Sequence, residues 1–383
     1  MSSIPQKYPD SALRRSNLYP FSASVVMHQP ELQTFSFYEN EVPDFVDVEM
    51  DRLYEHIYSS ASKIRIDGSD RDATTYVLRK GKVVKAVFIF RWRGNRVEVI
   101  NECMKLDEGD IRQFANAIFS SYRSAALISF HAVRASINVL PYPYQCFTCL
   151  EDIVLRLPVS SNFYFSSLGK STRQNISHYS KVVRRQFPSY QFKIFAAQDA
   201  TDALIRDIVQ LSSARIAAKD QVSLHDEEKT KKLLQLIHVH GFVGVILIDD
   251  HVCAGAICSK LGANYFLHVL AHDPLYDRYS LGTLCCYLTT CESIAVGGET
   301  FHFLWGRMDY KYRLRGAQLD LQRVVVYRSR LQYFLNGAHA LKIAFNGIGR
   351  LVKHWLLAPE RKDSLVSRIA VMLECNAKRL FGK

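Results

Sequence analysis

Ala271-His272-Asp273-Pro274-Leu275-Tyr276-Asp277-Arg278-Tyr279-Ser280-Leu281-Gly282-Thr283-Leu284 follows a strand-forming run, Tyr265 to Leu270, and opens an apolar stretch of helical pattern, Gly282 to Ala295. Strand, Gly-containing turn and helix start is an arrangement that aims free backbone N–H groups at an anion, with the helix dipole adding to the attraction. Gly282 allows close approach, Ser280 and Thr283 offer hydroxyls as donors or as caps, and Arg278 offers a charge-assisted contact. The segment points to a phosphate or pyrophosphate ligand; a plain helix cap without a ligand reads the same residues equally well.

Working outward, the C-terminal side gives a short strand, Phe301 to Trp305, a polar loop, and a last strand, Gln322 to Tyr327. The N-terminal side gives helices over Ala203 to Arg215 and Glu227 to His240, then a hairpin of Val243 to Ile248 and Cys253 to Leu261 around Asp249-Asp250-His251. Before them stand a strand, Tyr190 to Phe195, and a helix from about Ser171 that ends before Pro188. That helix carries an apolar stripe (Ile176, Tyr179, Val183, Phe187) and a basic face (Lys170, Arg173, Lys181, Arg184). An earlier α/β unit spans about residues 36–158. It has a helical pattern over Phe45 to Ser60, strands Thr74 to Leu78 and Val83 to Phe90 around Gly81, a strand Val97 to Ile100 and a helix Asp110 to Tyr122. Strands Leu127 to Val133 and Ile153 to Leu157 complete it, with a Pro-rich loop between them.

The 383 residues fit two domains, and 48% hydrophobic with 22% charged residues excludes a disordered, collagen-like or low-complexity chain. No apolar run is long enough to span a bilayer and no secretory signal pattern is seen, which points to the cytosol. Nine scattered cysteines read as reduced thiols, and the lone Cys146-x-x-Cys149 lacks the second pair a zinc ribbon needs, so no metal is expected. The net charge of +12 favours anionic partners. It is concentrated: no acid lies between Leu155 and Asp199, and residues 331–383 hold nine Lys and Arg against three acids. In that tail Phe334, Ala338, Leu341, Phe345, Ile348, Val352 and Trp355 mark a basic amphipathic helix, suited to packing on the protein body, to an anionic membrane face or to a partner helix. Gly169-Lys170-Ser171 imitates a nucleotide loop, but Tyr164 stands where its first glycine belongs.

Asp273-Pro274-x-Tyr276-x-x-Tyr279-Ser280-x-Gly282, followed by a helix, a strand and Gly306-x-x-Asp309-Tyr310-Lys311, resembles the acetyltransferase family associated with cellulose and exopolysaccharide biosynthesis, of the GNAT superfamily and related to Fem-type peptidyltransferases. The resemblance covers residues 160–330. It implies an α/β fold of two GNAT-like lobes, mixed and mostly antiparallel sheets flanked by helices, with a helical C-terminal tail. The divisions are 1–35 (lead-in), 36–158 (degenerate N-terminal lobe), 159–330 (acyltransferase lobe) and 331–383 (tail). It implies acetyl-CoA or another acyl-CoA as donor, its pyrophosphate on the amides of Tyr279, Ser280, Leu281, Gly282 and Thr283, its pantetheine arm along Leu267, Val269 and Leu270, and Arg278 nearby. The acceptor it implies is an amino or hydroxyl group of a sugar or envelope-polysaccharide precursor. The sequence departs from the family where Leu281 replaces a common Pro, and Arg278 lies four residues before Gly282 instead of three. Acyl transfer needs a base, an acid and donors for the oxyanion. Two loops supply candidates: His268, His272 and Asp273 in one, Asp309, Tyr310 and Lys311 in the other. Asp309 or His272 would be the base, Tyr310 or Tyr279 the acid, and Lys311 or Arg278 the group that steadies negative charge. A Fem-type enzyme using aminoacyl-tRNA, with nucleic acid bound for that reason alone, and a non-catalytic GNAT-like scaffold are the other readings, and peripheral contact with the inner membrane face through the tail goes with any of them.

Overall fold

The computed structural model describes residues 26–28, 33–217, 227–338 and 340–341. The chain begins β1 (Val26–His28), β2 (Gln33–Tyr38), α1 (Val46–Tyr54), a 3₁₀ turn (Ile57–Ser59), α2 (Ala61–Ile66), β3 (Thr74–Lys80), β4 (Val83–Arg93), β5 (Arg96–Val99) and β6 (Lys105–Asp107). Next come α3 (Glu108–Ser121), β7 (Leu127–Ser136), β8 (Tyr144–Arg156), α4 (Ser161–Ser167), α5 (Lys170–Gln186), β9 (Gln191–Ala196), α6 (Asp202–Ala217) and α7 (Glu227–His240). It continues with β10 (Gly241–Ile248), β11 (His251–Leu261), β12 (Asn264–His272), a 3₁₀ turn (Pro274–Tyr279), α8 (Leu281–Ala295), β13 (Thr300–His302), α9 (Asp309–Arg313), β14 (Ala317–Tyr327) and α10 (Arg330–Leu335).

The expected mixed, mostly antiparallel α/β architecture is what forms. Its strands join in one path, β1-β2-β3-β4-β5-β7-β14-β8-β13-β12-β11-β10-β9, with β6 beside β7. Only β5 with β7, β6 with β7 and β12 with β13 run parallel. The continuity comes from β14, which returns from the far end of the described chain to lie between β7 and β8. Helices cover both faces. In the first half α3 packs a core of Phe88, Phe114, Ile118 and Phe130, while α1 and α2 close the other face over Val46, Met50 and Val87. In the second half α8 packs on Ile246, Cys258 and Tyr265, and α6 and α7 on Val243, Ile257 and Val269. Contact between α8 and β10 is close enough that a Cβ at Gly244 would fall 1.9 Å from Thr289 Oγ1, which only glycine permits.

Some elements differ from the sequence pattern for local reasons. The helix read over Phe45 to Ser60 breaks at Glu55, which caps α1 in the left-handed region at φ 49°, and the chain restarts as a 3₁₀ turn. Helix α3 starts two residues earlier than its apolar stripe, because Asp107 and Asp110 form a reciprocal capping box. The strand read from Ile153 begins at Tyr144, its first part paired with β14. The polar loop before the last strand contains α9 and the beginning of β14. Beyond residue 341 the amphipathic stripe of the tail lies outside the described residues, as does most of the lead-in. Among the described residues, no helix is long and apolar enough to cross a membrane, and all the cysteines are free.

Candidate active site

Strands β12 and β13 run parallel for three residue pairs only, Asn264 to Phe266 against Thr300 to His302. Phe303 then turns its N–H to Ile153 of β8, and Leu304, held at φ 55°, carries the chain away from β12. The opposite edge of β12 stays paired with β11 to His272, with one residue, His268, bulged out between Leu267 and Val269. The two strands thus part into a fork. From Leu267 on, the edge of β12 that faced β13 has no ladder partner, and a wedge of open backbone of this kind accepts an extended ligand by strand-like pairing.

At the head of the fork α8 begins without a cap. Ser280 occupies the N-cap in the left-handed region (φ 51°, ψ 38°), and its side chain makes no capping hydrogen bond, contrary to the capping role the sequence allowed it. The first amide with a backbone partner is Leu284, on Ser280 O. The amides of Leu281, Gly282 and Thr283 are left to a ligand or solvent, at the positive end of a fifteen-residue helix. A cavity of about 250 Å³ opens beside them, lined by Ser280, Thr283, Arg313 and, from α5, Thr172, Asn175 and Tyr179. Arg313, exposed on α9, also lines this cavity. Glycine at 282 has a reason within the fold itself: a Cβ there would stand 2.8 Å from His272 Nδ1. The ring of His272 packs over Gly282 while its Nε2 bonds Asp277 Oδ1 at 2.7 Å, so His272 braces the turn. Asp273 is a turn residue whose Oδ1 accepts from Leu275 N at 2.9 Å. Arg278 is exposed, with its guanidinium 4.7 Å from the Tyr279 ring centroid. Tyr279 is buried against Phe187, its hydroxyl without a partner. Leu281, Leu267 and Val269 are buried and Leu270 is half-buried.

On the other arm, α9 carries the second candidate group. Lys311 is 3% exposed, and its Nζ donates to the carbonyls of Leu304 (3.1 Å) and Trp305, where β13 peels away. Burial pushes its ammonium down to about 8, opposed by Asp152 and Glu151. Asp309 is exposed in the first turn of α9, and Tyr310 is half-buried against Phe303. No polar contact joins Asp309 to His272. His268 is a satisfied interior histidine: Nε2 shares a hydrogen bond with Ser259 Oγ at 2.8 Å, and burial, with Lys63 and His56 nearby, lowers it to about 3.

Sequence reasoning missed one polar cluster. Asp152 of β8, His302 of β13 and His56, just before the first 3₁₀ turn, are all buried and meet beside the closed end of the fork. Asn264 Nδ2 donates to Glu55 O (2.9 Å), which leaves its Oδ1 to accept from the Thr300 hydroxyl (2.6 Å). Thr300 must then accept from His302 Nε2 (2.9 Å), while His302 Nδ1 donates to Asp152 Oδ2 (2.6 Å). Burial works to raise the Asp152 carboxyl, but the hydrogen bond from His302 and the nearness of His56 prevail and hold it well below the usual carboxylate range. His56 accepts from Tyr58 N at Nδ1 (3.3 Å), so its proton sits on Nε2, and burial lowers it to about 4. Nothing in the sequence spacing of 56, 152 and 302 signals this meeting.

Residues 170–312 match the acetyltransferase (GNAT) domain family model. No curated protein matches the chain. Among solved structures, FemX aligns at 8% identity with a TM-score of 0.55, over 77% of this chain and 98% of its own. A conserved protein of unknown function from Bacteroides thetaiotaomicron aligns at 10% identity with a TM-score of 0.50, over 76% and 99%. At these identities the likeness is one of fold.

Proposed function

We propose, from the premise that residues 170–312 form a GNAT-type acyltransferase domain, that the protein moves an acyl group, acetyl foremost, from acyl-CoA to an amino or hydroxyl group. The observation that carries this is the fork: β12 loses its neighbour after Phe266 and leads through one 3₁₀ turn into an uncapped helix. Bound acyl-CoA would supply an activated thioester. The open edge of Leu267, Val269 and Leu270 would pair with the amides of its pantetheine arm. The N–H groups of Leu281, Gly282 and Thr283, with the Ser280 and Thr283 hydroxyls and Arg313, would hold the pyrophosphate, and exposed Arg278 an outer phosphate. Lys311, pinned where the strands part, would steady the developing negative charge. Exposed Asp309 would take the acceptor's proton, and Tyr310 would return one to the leaving thiolate. His272, braced by Asp277, would position the turn, with Tyr279 packing beneath it. The acceptor would be a sugar or glycan precursor reached between the lobes of residues 36–158 and 159–330, with the basic tail available for an anionic membrane face.

One observation favours an aminoacyl-tRNA donor instead. Lys170, Lys181, Arg184 and Arg185 of α5 are exposed, and no carboxylate pairs with them among the described residues. The test is calorimetric titration of acetyl-CoA into the protein and into Thr283→Asp. A carboxylate at this third helical position complements the dipole, so the fold holds or gains, while the pyrophosphate is repelled. Binding to the parent and its loss in a variant of undiminished Tm supports acyl-CoA. No acetyl-CoA binding, with charged tRNA bound in a steeply salt-dependent way, moves the assignment to the tRNA donor.

A further inference from the structure

A cavity of about 790 Å³, away from the open end of the fork, is lined by residues of β8, β13, β14, α4 and the segment after α1. Its volume falls within the roughly 300–1,000 Å³ of small-molecule sites. Three features of its wall go together. First, His56 and Asp152 each keep one unpartnered polar atom, Nε2 and Oδ1. His56 Nε2 is 3.6 Å from Asp152 Oδ2, beyond hydrogen-bond reach. Given the ring's tautomer, these are one orphan donor and one orphan acceptor side by side, which is the complement of a hydroxyl group. Second, Phe163 of α4 lines the same cavity with 61% of its surface exposed, beside the apolar side chains of Leu155 and Pro158. Third, Lys105, Arg134, Arg156 and Arg315 line it, and among the described residues none has a carboxylate partner. Arg315 sits at φ 68°, a left-handed conformation that an arginine adopts at a cost.

We propose that this cavity binds a phosphorylated sugar. The ring hydroxyls meet His56 and Asp152, the apolar face of the ring lies on Phe163, and the phosphate is taken by the arginines at the wall. Asp152 already has one oxygen hydrogen-bonded to His302, which leaves its other oxygen to accept from a hydroxyl. The site stands on this cavity alone and requires no acyl donor.

The test is calorimetry on the full chain, without acyl-CoA, using a panel of hexose monophosphates at millimolar concentration, with the parent hexoses and inorganic phosphate as separate arms. At least one hexose monophosphate binds, and more tightly than its sugar or phosphate alone. Arg315→Gly weakens it about tenfold, the loss of one charge-assisted bond, with Tm unchanged or raised because glycine accepts this φ. Asp152→Asn weakens the sugar phosphate and leaves inorganic phosphate unaffected; if that buried variant does not fold, Phe163→Ala on the exposed face replaces it with the same expectation. Absence of binding across the panel, phosphate alone binding as well as the sugar phosphates, or affinity indifferent to both Arg315→Gly and Phe163→Ala overturns the proposal.

Discussion

Gly282 reads differently in the sequence and in the fold. In the sequence it is the glycine of a phosphate turn. In the fold its missing Cβ makes room for His272 Nδ1, at 2.8 Å from where a Cβ would lie. The ring in turn holds Asp277. This makes a sign-reversing prediction. Gly282→Ala lowers stability by about 1–3 kcal/mol through overpacking. In a His272→Ala background the same change removes no space that is used and restores helix propensity, a gain of about 0.5–1 kcal/mol. Urea unfolding of the four proteins gives both numbers; equal effects in the two backgrounds would mean that the ring does not set the residue. The sequence shows that glycine is needed here but not against what, because His272 meets it only when the turn closes. Lys311 is the reverse case. Its Asp-Tyr-Lys context and charged neighbours suit a solvated face, yet it is buried, with its reason in two carbonyls on a different element.

Elements were legible in proportion to their length and their periodicity. Helix α7 ends at His240, where its apolar stripe indicates. Helices α4 and α9, of seven and five residues, are too short for a period to show, and α9 is the one that carries Lys311. The fork could be expected only through family resemblance, since a strand's loss of its neighbour leaves no local mark on Leu267 to His272. Lys311 ties α9 to the diverging strand. Lys311→Met leaves the Leu304 and Trp305 carbonyls without their buried donor and costs about 1–3 kcal/mol in denaturant unfolding. Lys311→Met also removes acyl transfer, if the proposed role holds. A variant as stable as the parent would show that those carbonyls need no ammonium.

At the scale of the molecule, the pairing of β14 between β7 and β8 joins the strands into one sheet, and the cluster of His56, Asp152 and His302 draws on three distant segments. Neither was legible, since partners so far apart in the chain are chosen by tertiary packing and not by local pattern. Burial of neutral histidines fixes an acid limit. His56 is lowered to about 4 and His268 to about 3, against about 6.5 for an unfolded histidine. Between about pH 6 and 4 the unfolded chain binds protons that the folded one refuses. Stability therefore falls as pH drops, with a slope approaching about 1.4 kcal/mol per pH unit for each ring. Below that range Asp152, whose folded carboxyl is depressed, adds to the loss as it is protonated. Urea midpoints over this range check it, and His268→Gln should flatten the slope by half; a pH-independent midpoint would mean that these rings titrate normally. The central claim, that the fork and the uncapped helix hold an acyl-CoA, is tested most directly by hydrogen–deuterium exchange with and without acetyl-CoA. Exchange should slow in peptides covering Leu267 to His272 and Leu281 to Leu284, with the far edge of the sheet unchanged. Unaltered exchange at both segments, with acetyl-CoA saturating or failing to bind, would contradict it.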